Sequence, residues 1–247
     1  MQFFTNISHD FRTPLTLIIN PLEELAKGAV GKRKRLRYYS HMLNNTKRLL
    51  RLVNELMDFQ KIETKAYELQ LRKDSINNVL KEVCESFDEY ANTRDINFNY
   101  VLTETFEDFW FDKTVIEKIL YNLLGNAFKF TKNNGKIKVD LLKSINSDKL
   151  THKNSYKIWN QEDGKDYVWI KITDNGVGIT EDEIKNIFTR FFHKTKDSLS
   201  EEGSGVGLSL VKSLVTLHNG SVLVTSEPGL GTSFYISIPY QLTSVNK

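Results

Sequence analysis

A repeating apolar pattern between residues 36 and 57 constrains the fold more than any other feature of the chain. Apolar positions recur there at alternating intervals of three and four, which predicts a long amphipathic helix. The stripe consists of Leu36, Tyr39, Leu43, Thr46, Leu50, Val53 and Met57, and Leu49, Leu52 and Leu56 add a second apolar face. Residues 2–27 predict a preceding helix, and the Gly28–Gly31 segment a turn between the two. A lone hairpin cannot bury two faces, whereas two hairpins in a four-helix bundle can, so the pattern predicts a homodimer.

From residue 69 onward the pattern changes to a mixture of short strands and helices. Strands are predicted at 69–71, 96–101, 136–141, 167–173, 222–226 and 233–238. Helices are predicted at 75–92, 112–131, 180–187 and 205–219, and a long polar loop at 144–166. Because strands and helices do not alternate regularly, we expect a mixed sheet with helices on one face. The predicted fold class is therefore α+β, a helical hairpin followed by an α/β sandwich.

Composition excludes several classes of protein. The 247 residues carry a formal net charge of only +3, which argues against direct nucleic-acid binding. A single cysteine, Cys84, excludes an internal disulfide and is typical of a reducing compartment. No apolar run has the length needed to span a bilayer. The chain begins inside a helical pattern with no room for an N-cap, which predicts a fragment of a longer protein.

His9 occupies an unusual place on the first predicted helix. Apolar residues recur at 4, 7, 11, 15, 18, 22 and 25. At roughly 100° per residue, His9 projects almost opposite to that face. A neutral imidazole in water is a nucleophile near pH 7, and the carboxylate of Asp10 could hold its other nitrogen. Considered alone, a surface histidine of no consequence is the better interpretation.

Three glycine clusters follow in the second region. They are Asp174-Asn175-Gly176-Val177-Gly178-Ile179, Gly203-Ser204-Gly205-Val206-Gly207-Leu208 and Glu227-Pro228-Gly229-Leu230-Gly231-Thr232. A Gly-x-Gly at a helix start lets backbone N–H groups point at a phosphate, with the helix dipole assisting. One cluster is weak evidence because turns are rich in glycine. The three together favour a nucleotide site.

The helix before these clusters carries Asn122, Asn126 and Lys129 on one face, because their spacings are four and three. Amide oxygens suit Mg²⁺, and an ammonium suits a phosphate. A solvated polar face is the alternative. The apolar residues around them predict that much of this helix is buried, which favours a polar ligand.

Asp174 ends a predicted strand. A buried carboxylate there can accept a hydrogen bond from the exocyclic amine of adenine, whereas guanine offers a carbonyl and is repelled. The alternative is a turn-forming Asp-Asn pair ahead of glycine. The polar residues 193–202, which follow the aromatic segment Phe188–Phe192 in the chain, predict a mobile lid. Lys194 and Lys196 could reach a terminal phosphate, or could equally be solvated lid charges.

Together these motifs resemble the catalytic core of sensor histidine kinases of two-component systems, over nearly the whole chain. Ser8–Pro14 resembles the H box, Asn122–Lys129 the N box and Phe188–Phe192 the F box. The three glycine clusters resemble the G1, G2 and G3 boxes. The resemblance implies a dimerisation and histidine-phosphotransfer domain over residues 1–64 and a catalytic ATP-binding domain of the GHKL type over 65–243.

The segments Phe3–His9 and Asn20–Leu25 look most like those of bacterial hybrid sensor kinases. Such proteins often carry a periplasmic sensor upstream and a receiver downstream. The chain is therefore expected to be the cytoplasmic portion of an inner-membrane sensor, associated with the membrane only through segments outside this sequence.

In the first domain, the resemblance implies that His9 accepts the phosphoryl group. Asp10 would orient the ring and help remove its proton. Thr13 would hold the water that dephosphorylates a response-regulator receiver domain, which is the expected partner besides the second copy of the chain.

In the second domain, the resemblance implies ATP and Mg²⁺ as cofactors. Asn126 would bind the metal, Asn122 and Lys129 the phosphates, and Asp174 the adenine. The other expected nucleotide contacts are Gly176, Gly178, Ile179, Phe188, Lys194, Gly203, Gly205, Val206, Gly207, Leu208 and Thr232.

The implied activity is autophosphorylation of His9 by ATP, followed by transfer to an aspartate of the receiver. Related ATPases carry a glutamate where Asn122 stands, and an amide cannot activate water as a base. Alignment and charge neutralisation are sufficient for phosphoryl transfer, so a docked histidine can be the attacker instead. Two alternatives stay open: a regulator that is mainly a phosphatase, using Thr13, and a nucleotide-binding dimeric scaffold without transfer.

Overall fold

The computed structural model describes residues 2–28, 30–102, 104–145, 154–158, 160, 166–189, 192 and 205–240, with side chains for all of these except 2–7, 9 and 10. Two long helices form the predicted hairpin, α1 (Gln2–Ala26) and α2 (Lys32–Glu63). Glu24 joins them near the turn, because its Oε2 accepts hydrogen bonds from Lys34 Nζ at 2.9 Å and from Tyr38 Oη at 2.6 Å.

The two apolar faces of α2 differ in burial. Leu52 is buried, and Leu49 and Leu56 are half-buried. Five residues of the three-four stripe are instead more than half exposed: Leu36, Tyr39, Leu43, Leu50 and Met57. A single hairpin therefore leaves the stripe uncovered, as the two-face pattern predicts.

The rest of the described chain is a mixture of strands and helices. In chain order these are β1 (Arg72–Asp74), α3 (Ile76–Glu85), α4 (Asp88–Thr93), β2 (Asn97–Asn99), β3 (Phe109–Phe111), α5 (Lys113–Phe130), β4 (Lys136–Leu142), β5 (Asn154–Ile158), β6 (Tyr167–Asp174), α6 (Glu181–Ile184), α7 (Gly207–Leu217), β7 (Val222–Glu227) and β8 (Gly231–Pro239). Within this part, no helix is long and apolar enough to cross a membrane.

The main sheet has the strand order β2-β4-β6-β8-β7-β5. The pair β2–β4 is parallel and the other pairs are antiparallel, which confirms the predicted mixed sheet. One face packs against α3, α5 and α7 in a continuous apolar core that includes Leu80, Leu124 and Val211. The opposite face carries a small separate cluster around Trp169 and Tyr235. Strands β1 and β3 form a second, two-stranded sheet.

Four sequence-based expectations are wrong in detail. The strand expected at 69–71 begins at Arg72, and the strand expected at 96–101 is limited to Asn97–Asn99. The single helix expected over 75–92 breaks at Ser86 and Phe87, where Phe87 N–H bonds to Cys84 O in a turn. The expected loop at 144–166 contains β5. Strand β5 was missed because it is a sheet edge with alternating exposure, so its composition is polar.

Strand β3 was not predicted at all. Three residues, Phe109, Trp110 and Phe111, are too few for a period-two pattern to be recognised. The next residue is Asp112, whose Oδ1 accepts the Val115 N–H at 3.1 Å and caps α5. The start of α5 therefore agrees with the helix predicted at 112–131.

Candidate active site

The carboxylate of Asp174 lies at the end of β6 and is only 6% exposed. Its Oδ1 accepts the Gly176 N–H at 2.8 Å, and the backbone N–H of Thr232 also bonds to it. Burial raises the pKa of Asp174 from 3.8 to about 6, although these two backbone donors act in the opposite direction. No cation is paired with it among the described residues. A buried carboxylate of this kind is suited to accept a hydrogen bond from a bound ligand.

Asp174 belongs to a polar row across the sheet. Thr232 on β8 lies directly opposite Asp174 on β6, and Ser226 on β7 lies directly opposite Thr232. Residues in direct register share one face. The next position in the row is Ile137 on β4, which belongs to the helix-covered core, so the row lies on the face that α5 and α7 cover.

Glycines allow the backbone around this row to pack closely. Gly178 has φ 69°, and a Cβ there would collide with the carbonyl oxygen of Glu227. Gly231 has φ 116°, and a Cβ there would collide with the carbonyl oxygen of Asp174. The Gly229 N–H also donates to Val177 O at 2.9 Å. The first and third glycine clusters therefore form one interlocked unit, and their approach to a nucleotide stays a prediction.

The amide of Asn122 joins α5 to the start of α7. Its Nδ2 donates to Lys118 O at 2.9 Å. Its Oδ1 lies so close to Gly207 that a Cβ there would be 2.5 Å from it. Val206, the N-cap residue of this 11-residue helix, makes no side-chain cap bond, and Gly207 at the first helical position lies against the Asn122 amide. The positive, N-terminal end of the α7 dipole therefore lies next to the amide oxygen of Asn122.

Asn126 and Lys129 continue the polar face of α5. Both are half-buried, and Lys129 Nζ lies 4.9 Å from the centroid of the Phe130 ring. The described residues contain no group of three or more His, Cys, Asp and Glu side chains suited to hold a metal. A metal at this site would therefore be held by an amide oxygen together with substrate phosphates, a set that fits Mg²⁺.

The structure also describes four other residues that were predicted to contact the nucleotide. The backbone N–H of Ile179 donates to Ser226 Oγ at 2.8 Å. Gly205 has φ 64°, and Leu208 packs against the main core. Phe188 is 6% exposed and its ring lies 5.1 Å from that of Tyr156, so it packs toward β5. Lys194 and Gly203 lie outside the described residues.

The residues predicted for phosphotransfer are all on α1. His9 and Asp10 are within this helix, but their side chains, including the expected outward direction of the His9 ring, lie outside the described residues. Thr13 follows one turn later and is half-buried.

Two polar contacts connect the hairpin and the segment after it to α5. Lys118 Nζ is 2.6 Å from Asp58 Oδ2 of α2. Asp112, the cap of α5, also accepts the Gln70 N–H through Oδ2 at 2.8 Å. Because Lys118 is the residue whose carbonyl holds Asn122, the hairpin contact is one helical turn from the polar face.

The sequence patterns did not identify Ser226 as a residue of this site. It is fully buried, and its hydroxyl contacts Ile179, Gly231 and Thr232. The available signal was its position directly before Glu227, which opens the third glycine cluster.

Residues 111–242 match the family described as histidine kinase-, DNA gyrase B-, and HSP90-like ATPases. The chain belongs to this family. Residues 1–65 match the His Kinase A (phospho-acceptor) domain. The two matches in this order define the class as the core of a sensor histidine kinase, which confirms the resemblance found in the motifs.

A curated relative, Histidine kinase P4 of Formosa agariphila, is 35% identical over 97% of this chain. The chain spans only 16% of that protein's length, 23% of sensor histidine kinase TmoS of Ectopseudomonas mendocina and 19% of sensor protein EvgS of Escherichia coli O157:H7. Full-length ShkA in complex with AMPPNP has a TM-score of 0.67 at 24% identity, covering 99% of this chain and 47% of ShkA. ThkA in complex with the response regulator protein TrrA also gives 0.67, at 22% identity, covering 97% of this chain and 61% of that one. These structures show that the fold is shared.

Proposed function

We propose that this chain is an ATP-dependent protein-histidine kinase core that phosphorylates its own His9. The observation that carries the proposal is the buried carboxylate of Asp174 on the sheet face that α5 covers, in the same chain as a phospho-acceptor domain. Residues 1–64 would dimerise and accept the phosphoryl group, and residues 65–243 would bind ATP.

In the nucleotide site, Asp174 accepts the hydrogen bond of the adenine amine. Lys129 and the N-terminal end of α7 bind the phosphates, because both present positive charge to an anion. Asn126 holds Mg²⁺ through its amide oxygen, and the metal, when bound, neutralises phosphate charge. This is the nucleotide class of the complex in which ShkA was solved.

Asn122 directs the reaction away from water. Its amide is held by Lys118 O and lies against Gly207, and an amide has no basic group that could deprotonate a water molecule. The site therefore binds the nucleotide without promoting hydrolysis, and the attacking atom must come from His9. Asp10 would orient the imidazole and take up its proton.

Two partners are proposed, a second copy of the chain and a response-regulator receiver domain. The exposed apolar stripe of α2 would pair with a second copy of the chain in a four-helix bundle. A response-regulator receiver domain would receive the phosphoryl group on an aspartate, and the structure of ThkA with TrrA supports a partner of this kind. Thr13 would hold the water that hydrolyses the phosphoryl group from the receiver. Relatives are named as sensor proteins, and we place this chain in the cytoplasmic portion of such a sensor.

The test is incubation of the whole chain with γ-labelled ATP and Mg²⁺. We expect a label that is lost in acid and kept in base, because a P–N bond is cleaved once its nitrogen is protonated. His9→Gln should abolish the label and leave ATP affinity unchanged. His41→Gln, at an exposed histidine of the same hairpin, is the matched control and should keep the full label.

Label that survives acid, or that persists in His9→Gln, contradicts the proposal. ATP binding with no label on the wild-type protein would instead identify a nucleotide-binding scaffold.

A further inference from the structure

A pocket beside the edge strand β5 lies outside the proposed nucleotide site. It has a volume of about 330 Å³ and is open to solvent. Its lining consists of Tyr156 of β5, Lys212 of α7, and Lys185, Phe188 and Thr189 in the segment after α6. This volume is at the lower end of the range for small-molecule pockets, about 300–1,000 Å³.

Two strands and one helix separate this pocket from the residues proposed to bind ATP. Tyr156 lies on β5 and Asp174 on β6, and β7 and β8 lie between these strands. At about 4.8 Å per strand, β5 and β6 are about 14 Å apart. Lys212 follows Gly207 by five residues, which turns it about 140° around the axis of α7 from the side that faces Asn122. The pocket is therefore on the other side of α7 from Asn122.

Two aromatic side chains form the apolar wall of the pocket. The ring centroids of Tyr156 and Phe188 are 5.1 Å apart, and the two rings are tilted by 38°. Phe188 is buried in the main core, and Tyr156 packs against that core from β5. Because the core holds both rings, the wall is formed before any ligand arrives. A wall of this kind suits a flat apolar group.

The charged part of the lining is entirely cationic. It consists of Lys185 and Lys212, and none of the five lining residues is acidic. Lys212 is half-buried, and within the described part of the chain no carboxylate pairs with it. Lys185 Nζ is 3.8 Å from Oε1 of Glu181, a side chain that is 75% exposed, so this pair is weak. Two ammonium groups beside an aromatic wall attract an anion.

We propose that this pocket binds a small aromatic anion. Its flat ring lies against Tyr156 and Phe188, and its carboxylate or phosphate group lies between Lys185 and Lys212. The pocket is a second ligand site, separate from that of ATP, and it does not depend on the proposed kinase activity.

The experiment is a titration of the whole chain with 2-naphthoate, followed by the fluorescence of this probe. We expect saturable binding of one probe per chain, and the same affinity in the presence of AMPPNP and Mg²⁺. The amide 2-naphthamide has the same ring without the charge and should bind about tenfold more weakly. Competition between 2-naphthoate and 2-naphthyl phosphate then identifies which anionic group the two lysines prefer.

Lysine variants test the cationic part of the pocket. Lys212→Met keeps the length of the side chain and should weaken 2-naphthoate binding about tenfold. Lys185→Met should weaken it about threefold, because the Lys185 side chain is 65% exposed. Lys81→Met is the matched control, because Lys81 on α3 is also 65% exposed and also lies 3.8 Å from a glutamate one turn away. This control should bind 2-naphthoate as the wild type does.

A variant of the aromatic wall tests the other half of the pocket. Tyr156→Leu removes one ring and should weaken 2-naphthoate binding about threefold, while the preference for naphthoate over naphthamide is retained. Melting temperatures of all variants show whether a loss of binding comes from unfolding. The inference is overturned by the absence of saturable binding, by displacement of the probe with AMPPNP, by equal binding of the amide, or by an equal loss in Lys81→Met.

Discussion

The α/β region closes its own core, whereas the hairpin leaves the larger of its two apolar faces exposed. In the α/β region, residues such as Leu80 and Leu124 are 0% exposed between helices and sheet. On α2, only Leu52 and Phe59 are buried, and Leu43 is 55% exposed. The difference separates two sources of stability. One is intramolecular packing, and the other is the proposed association with a second copy, which would depend on concentration.

A matched pair of leucine truncations tests this difference and has the largest expected effect. Leu80→Ala should cost about 2–5 kcal/mol of unfolding free energy at any protein concentration, because it leaves a cavity in a closed core. Leu43→Ala should instead weaken the dimer and change stability only as concentration falls toward the dimer dissociation constant. Chemical unfolding at two concentrations, with sedimentation to follow association, measures both. A concentration-independent loss of the same size in Leu43→Ala would contradict the distinction.

Two buried groups of the α/β region should change its stability in acid in opposite directions, each by an intermediate amount. Burial lowers the pKa of His218 from 6.5 to about 4, and its Nε2 accepts the Asp112 N–H. The unfolded chain then takes up the proton first, so the contribution of His218 to stability is full above pH 6.5 and falls by about 3 kcal/mol toward pH 4. Among its described side chains, the hairpin has no buried histidine or carboxylate.

Asp174 titrates with the opposite sign over nearly the same range. Its raised pKa of about 6 means that the folded chain takes up the proton first as the pH drops, which adds stability. The two contributions nearly cancel in the wild type, so we expect Asp174→Asn to lose stability in acid and His218→Gln to gain it. Melting temperatures from pH 7 to pH 4 provide the measurement, and parallel profiles for the two variants would disprove the assignment.

The ion pair between the two regions should have the smallest effect. Asp58 and Lys118 are 17% and 33% exposed, so a double-mutant cycle with Asp58→Asn and Lys118→Gln should give a coupling of about 1 kcal/mol. The pair Lys113 and Glu82, 39% and 58% exposed within the α/β region, is the control and should couple less. Equal couplings would show that the contact between the regions is no stronger than an ordinary surface pair.

The sequence by itself determined the helical hairpin, its unburied stripe and the mixed sheet, because apolar periodicity depends on local geometry and on the need to cover one face. It also identified the motifs, including Asp174 and the polar face of α5, because their spacing along one element is fixed by that element. Tertiary structure alone decided which motifs meet. Strand pairing placed Ser226 opposite Thr232 and formed β5 within the predicted loop, and the packing of α5 on α7 brought Asn122 against Gly207. Such contacts join residues distant in the chain, and no local pattern records them, since they arise only when separate elements pack together.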